Sequence, residues 1–197
     1  MSADAAMKSA PRLTACVFAG NGPISQIMSV AHRSRIYLLR HARAGWAEPG
    51  ARDFDRTLDA KGREDAEALG RAMARDGYRP DRVICSAARR CVETWERVAL
   101  TLTVPDVVFT ETLYANDHAA YLDAIRATAG HGSVMLVGHN PMMEDTAAAL
   151  LPEAHGKEAD TLRRGFPTSG LAVLDLDGSL AGAATARATI AAFLRPE

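Results

Sequence analysis

Short, mainly apolar runs alternate along this chain with longer stretches in which apolar residues recur every three or four positions. The runs are Ile36–Leu39, Val83–Cys85, Val107–Phe109, Val134–Val137 and Leu171–Leu176. Runs this short, rich in branched side chains and bounded by polar residues, read as buried strands. Between the first two, residues 60–76 place Ala66, Leu69, Gly70 and Met73 on one helical face. Asp59 or Thr57 can cap that helix, and Gly77 and Pro80 end it. Ser86 stands where the N-cap of a helix over 87–102 is expected. Asp117 or His118 opens another helix through Ala129, and Pro141 suits the first turn of one over 142–151. A polar loop over 152–166 leads to the last of these strands. Asp177-Gly178 then marks a turn, and 181–190 reads as either a returning strand or a terminal helix. Strands alternating with helices predict an α/β, three-layer sandwich: a mostly parallel central sheet with helices on both faces.

The pattern starts late. Residues 1–34 mix Ala, Ser, Gly and Pro without periodicity, which predicts a poorly ordered extension ahead of a single domain over 35–197. Leu13–Ala19 is weakly apolar, but its thin basic flank argues for a tail rather than a signal peptide. Met28 is a second candidate start. With 197 residues the chain can bury a full core, and its net charge of −1 offers no general attraction to nucleic acid or an acidic membrane. Any anion site must be a local cluster of arginines. The three cysteines, Cys16, Cys85 and Cys91, form no metal-type pair and suit a reducing cytoplasm. No apolar run approaches the roughly 18 residues that read as a membrane span.

Three of the predicted strands end in chemistry. The first ends in Arg40-His41-Ala42-Arg43. The second is followed by Ser86, Arg89 and Arg90, and the fourth by Gly138-His139-Asn140-Pro141. Parallel strands point the same way, so these ends can converge on one mouth, where open α/β sheets bind ligands. Arginine forks match phosphate oxygens. Nearby arginines keep an imidazole neutral, and neutral imidazole is a nucleophile. Alternatives fit less well. A cysteine phosphatase needs five residues between Cys and Arg, and Cys85 to Arg90 leaves four. No acidic side chains pair with His41 and His139 at metal-ligand spacing, and no Walker-type loop is present.

Leu38-Leu39-Arg40-His41 resembles the active-site opening of the histidine phosphatase superfamily, the phosphoglycerate mutase-like fold. Residues 85–94, Cys-Ser-Ala-Ala-Arg-Arg-Cys-Val-Glu-Thr, resemble its second arginine motif, and Val137-Gly138-His139-Asn140-Pro141 its second histidine motif. Asp55–Gly62 is similar to a segment of the small SixA-type branch, the phosphohistidine phosphatases. The resemblance runs over about 36–176. It implies His41 as the nucleophile, with Arg40, Arg90 and His139 completing a phosphate pocket, and no cofactor or metal. Register within the motif favours Arg90 over Arg89, leaving Arg89 for solvent. Arg43 is balanced between substrate contact and loop solvation, and Trp46 and Trp95 read as core or rim residues.

The chain departs from the family twice. Ala42 replaces the usual Gly after the nucleophile. Leu113-Tyr114-Ala115 lacks the family's general-acid Glu, and Asn140 stands where the acid-phosphatase branch has Asp. Glu111 and Glu144 are the nearby carboxylates. An alkoxide leaving group needs a placed acid, so its absence favours a phosphoramidate. The expectation is a cytoplasmic phosphatase acting on phosphohistidine in a partner protein. The alternatives are a phosphomonoesterase of small phosphorylated substrates and a non-catalytic phosphate-binding module.

Overall fold

The computed structural model describes residues 33–47, 49–151, 160, 162, 164–183 and 185–196. The expected poorly ordered extension lies almost wholly outside them, as does most of the expected loop over 152–166. The first strand, β1, spans Arg33–Arg40 and so begins ahead of the expected boundary at residue 35. It is followed by α1 (Ala60–Asp76), β2 (Arg82–Ser86), α2 (Arg89–Val98), β3 (Asp106–Thr110) and α3 (Thr112–Ala115). Then come α4 (His118–Arg126), β4 (Ser133–Gly138), α5 (Met142–Leu150), β5 (Leu171–Asp177) and β6 (Ala188–Leu194). Two short 3-10 turns, Asp53–Asp55 and Leu180–Gly182, complete the described elements.

The strands form one sheet in the order β3-β2-β4-β1-β5-β6. β1 to β4 are mutually parallel, and β5 and β6 join antiparallel. The mostly parallel expectation therefore holds for the four strands that carry the motifs. Residues 188–194 resolve the open C-terminal reading as a strand, which starts late in the 181–190 stretch. β4 is buried along its whole length, which explains its uninterrupted Val-Met-Leu-Val: a parallel strand covered on both faces has no polar side to show.

The sheet separates two apolar layers. On one face α1 and α2 bring Ala66, Leu69, Met73, Cys91, Trp95 and Val98 against Tyr37, Leu39, Val83 and Val137. On the other, α3 to α5 bring Leu113, Tyr121, Ile125, Met143 and Leu150 against Ile36, Leu38, Ile84 and Leu136. The sandwich is thus three-layered as expected. Alternate residues of β1 go to opposite layers, as strand periodicity requires.

The starts of α1 and α4 follow local rules, and that of α2 does not. Asp59 caps α1, its carboxylate accepting from Gly62 N at 2.7 Å, an arrangement worth about 1 kcal/mol. Gly77, in the left-handed region, ends that helix. Asp117 caps α4. Ser86 does not cap α2. It belongs to β2, the helix starts later at Arg89 after Ala88, and it stops at Val98 rather than at 102. Pro141 takes the N-cap position of α5 after a cis Asn140–Pro141 peptide.

Candidate active site

The carboxyl ends of β1, β2 and β4 meet. β4 lies between the other two, Arg40 pairs with Gly138, and His41 N donates to Gly138 O at 3.0 Å. His41 therefore leaves the sheet beside His139, with their ring centroids 5.2 Å apart. Arg90, near the start of α2, lies against both: its Nε is 3.2 Å from His41 Nε2 and its Nη2 is 3.2 Å from His139 Nδ1. It is only 7% exposed, and His139 5%.

Donor chemistry assigns the tautomers. A guanidinium only donates, so both imidazole nitrogens facing Arg90 carry lone pairs. His41 Nδ1 holds the proton and donates to Ala42 O at 2.7 Å. His139 holds its proton on Nε2, which lies 2.9 Å from Ser86 Oγ. Both rings are neutral. Burial, with Arg90, Arg40 and Arg56 nearby, pushes His41 down to about 4. Burial, with Arg90, His41 and Arg40, pushes His139 down to about 3, against a small opposing pull from Asp53. His41 Nε2 is thus a lone pair directed at a guanidinium, the protonation state a nucleophilic imidazole requires.

Arg40, the last residue of β1, adds positive potential at both histidines. Its Nη1 donates to Phe166 O at 2.5 Å, and its buried Nε has no acceptor among the described residues. Glu144, weighed as an acid from the sequence, is committed elsewhere. Its Oε1 accepts from Asn140 Nδ2 at 2.6 Å and Phe166 N at 3.0 Å, fastening the segment after His139 to the Phe166 loop. Glu111 is exposed at the start of α3. Arg89 faces solvent and pairs with Glu93. Arg43 Nε is tied to Asp59 at 2.7 Å, the same carboxylate that caps α1, so it braces the loop. Trp95 is core, whereas Trp46 is 97% exposed. Cys85 is buried as expected, and burial pushes the Cys91 thiol up to about 12, which leaves it inert.

The arginine motif extends beyond its arginine. Thr94 Oγ1 accepts from Ala42 N at 2.9 Å and donates to Arg90 O at 2.6 Å, fixing the backbone after His41 to α2. Glu93 accepts from Leu58 N at 2.8 Å. Two glycines permit close packing around this frame. A Cβ on Gly62 would overlap Arg43 O, and one on Gly138 would overlap Tyr121 Oη. That hydroxyl donates to Leu113 O at 2.7 Å and accepts from His139 N at 3.2 Å.

Several residues of the site escaped the sequence reading. Ser86 has the features of a cap and instead holds His139. Arg56 lends positive potential to His41 from the loop after β1. Asp53 bridges Arg90 and Arg56, and Tyr114 stacks edge-on to His139 at 5.5 Å. The Asp55–Gly62 segment is the available signal for the loop, but it stops two residues short of Asp53. Among the described residues no group of three or more His, Cys, Asp or Glu side chains is arranged to hold a metal ion. None of their helices is long and apolar enough to cross a membrane.

The family model of the histidine phosphatase superfamily, branch 1, matches residues 36–114. A solved structure from Agrobacterium tumefaciens, described as a candidate phosphohistidine phosphatase SixA, is 40% identical. It covers 83% of this chain and 99% of its own, at a TM-score of 0.71. The chain belongs to the histidine phosphatase superfamily. A second SixA candidate, from Nakamurella multipartitia, is 29% identical over 83% of this chain and 96% of its own, at a TM-score of 0.73. An uncharacterised protein of Mycobacterium leprae is 28% identical over 71% of this chain and 88% of its own length. The matched fold is phosphoglycerate mutase-like, and superfamily members are phosphatases.

Proposed function

We propose that this histidine phosphatase homologue is a phosphohistidine phosphatase that works through a phosphorylated His41. The observation that carries the reading is the state of His41: Nδ1–H is spent on Ala42 O, and the Nε2 lone pair faces Arg90. The phosphoryl group of the substrate enters between His41, His139 and the two arginines. The Arg40 guanidinium and the Nε–Nη2 edge of Arg90 take its oxygens. His41 Nε2 bonds to phosphorus as the P–N bond to the substrate imidazole breaks, and that imidazole leaves with its proton. Water then attacks phosphorus in line, inorganic phosphate departs, and Nε2 regains its lone pair. Arg40 and Arg90 act on the charge spread over the equatorial oxygens, and His139 lies against the same edge of Arg90.

The choice of substrate rests on what the site lacks and on the similarity to SixA. Ala115 replaces the expected acid, and Glu144 accepts two hydrogen bonds away from His41. A leaving imidazole tolerates that, whereas an alkoxide does not. A partner protein phosphorylated on histidine is the substrate, met in the cytoplasm, and the exposed Trp46, five residues after His41 in the chain, offers it a contact. The test is release of phosphate from a histidine-phosphorylated protein and from phosphoramidate by wild type and His41→Ala. Wild-type turnover that His41→Ala abolishes, in a folded variant, supports the reading. Comparable turnover of phosphoglycerate points to a phosphomonoesterase, and binding without turnover to a phosphate-binding module.

A further inference from the structure

Arg90 presents a geometric problem. A guanidinium is planar with two usable edges, Nη1–Nη2 at its end and Nε–Nη2 at its side. Two neutral imidazoles, each offering one lone pair at 3.2 Å, are weak anchors for a group that must meet an anion in one orientation. The other edge is held more firmly. Arg90 Nη1 donates to the backbone carbonyl of Asp53 at 2.7 Å, and Nη2 is 3.0 Å from Asp53 Oδ2.

We propose that Asp53 is a positioning residue for Arg90: it grips the end of the guanidinium with its carboxylate and its own carbonyl, and so turns the Nε–Nη2 edge toward His41 and His139. The proposal rests on the phosphate-pocket reading above. Asp53 is itself fixed. Its Oδ1 accepts from Arg56 Nη1 at 2.8 Å and its Oδ2 from the Tyr114 hydroxyl at 3.2 Å. The 3-10 turn closes on it through Arg56 N to Asp53 O. Phe54, next in the chain, packs edge-on against Tyr114 at 4.9 Å, and the Arg90 guanidinium lies 5.8 Å from that ring. Arg56, Arg90 and Tyr114 hold the carboxyl of Asp53 below the usual range, so it stays an acceptor.

The arrangement separates holding from binding. Asp53 takes the end edge, so an incoming tetrahedral anion can take the side edge bidentately without displacing it. Tyr114 supports the same grip. It stands in the segment that carries the acid in mutase-like members, and here its hydroxyl serves Asp53 rather than the leaving group.

The experiment compares wild type, Asp53→Ala, Asp53→Asn, Arg90→Lys and the Asp53→Ala/Arg90→Lys double variant. It measures kcat and KM on phosphoramidate, Kd for tungstate by calorimetry, and Tm. Misplacing a catalytic group by about an ångström costs up to roughly 10²-fold, so Asp53→Ala should lower kcat by roughly 10- to 10²-fold with KM little changed. Tungstate affinity should fall with it. Asp53→Asn should retain most activity, because its amide oxygen still accepts from Arg90. In the Arg90→Lys background Asp53→Ala should cost nothing further, since lysine has no edge to orient. Tighter tungstate binding by Asp53→Ala with kcat unchanged would overturn the proposal, because Asp53 would then be competing for the arginine. An equal loss in both backgrounds would overturn it too. If wild type turns over no phosphoramidate, the catalytic reading fails, while the tungstate cycle still reads the Asp53–Arg90 coupling. Absence of tungstate binding by wild type overturns both.

Discussion

A neutral His41 and His139 at the site have a consequence for stability that can be measured without any substrate. Both are held far below the ordinary imidazole value of 6.5, at about 4 and about 3. In the unfolded chain each takes up a proton as the pH falls through 6.5. In the folded chain neither does until the pH is much lower. The unfolded state therefore binds more protons in this window, and stability falls as the medium is acidified. Between pH 7 and pH 5 each imidazole with an unfolded value near 6.5 contributes a loss of about 2 kcal/mol, and the pair about 4 kcal/mol. The full loss requires both folded values to lie well below 5, as values of about 4 and about 3 do. Against a typical total of roughly 5–15 kcal/mol, such a loss is large. Urea denaturation at pH 7, 6 and 5 reads it directly. His41→Gln and His139→Gln should each remove about half of the pH dependence, and the double variant nearly all of it. A double variant that loses stability on acidification as steeply as wild type would refute the assignment of two neutral rings. So would imidazole C–H resonances of His41 or His139 titrating near pH 6.5.

Three further outcomes are expected. Ser86→Ala leaves the buried Nε2–H of His139 with only the weak sulfur acceptor of Cys91 at 3.4 Å, which should cost about 1–3 kcal/mol in urea denaturation and lower kcat, since the ring loses a bond that orients it. Gly62→Ala forces a methyl into Arg43 O and should destabilise by about 1–3 kcal/mol, with kcat falling as the backbone beside His41 shifts; an unchanged Tm and kcat would show that this packing is slack. Trp46→Ala should raise KM for a histidine-phosphorylated protein while leaving KM for phosphoramidate unchanged, because the exposed indole, in the loop that leaves His41, is available to a large substrate and makes no ring contact or hydrogen bond with the described residues of the phosphate pocket.

Much of the frame was legible because its signals are local. The Val-Met-Leu-Val run of β4 could only be a strand covered on both faces. Arg40-His41 and Gly138-His139 follow directly from strand ends, so four parallel strands suffice to place them at one mouth. Arg90 was legible from register: one residue earlier, at Arg89, the helix points to solvent. The misses have two causes. Ser86 has the chemistry and the place of an N-cap, and a serine before a helical stretch is read that way on local grounds. Its hydroxyl instead reaches His139, 53 residues away in the chain. The 3-10 turn at Asp53–Asp55 and the short α3 at Thr112–Ala115 are too brief to leave a periodic signal.

By itself the sequence determined the layers of the sandwich, the strand ends that carry the histidines and arginines, and the family to which the chain is similar. These depend on periodicity and on residues adjacent in the chain. Tertiary structure alone decided which nitrogen of each imidazole carries the proton, that Glu144 is spent on Asn140 and the Phe166 loop, and that Asp53 closes on Arg90 from a different loop. The decisive pairings among them join donors and acceptors across 22 to 53 residues of chain. Only packing fixes such pairings, because a side chain's hydrogen-bond partner is chosen by proximity in the fold and by the cost of leaving a buried polar group unpaired.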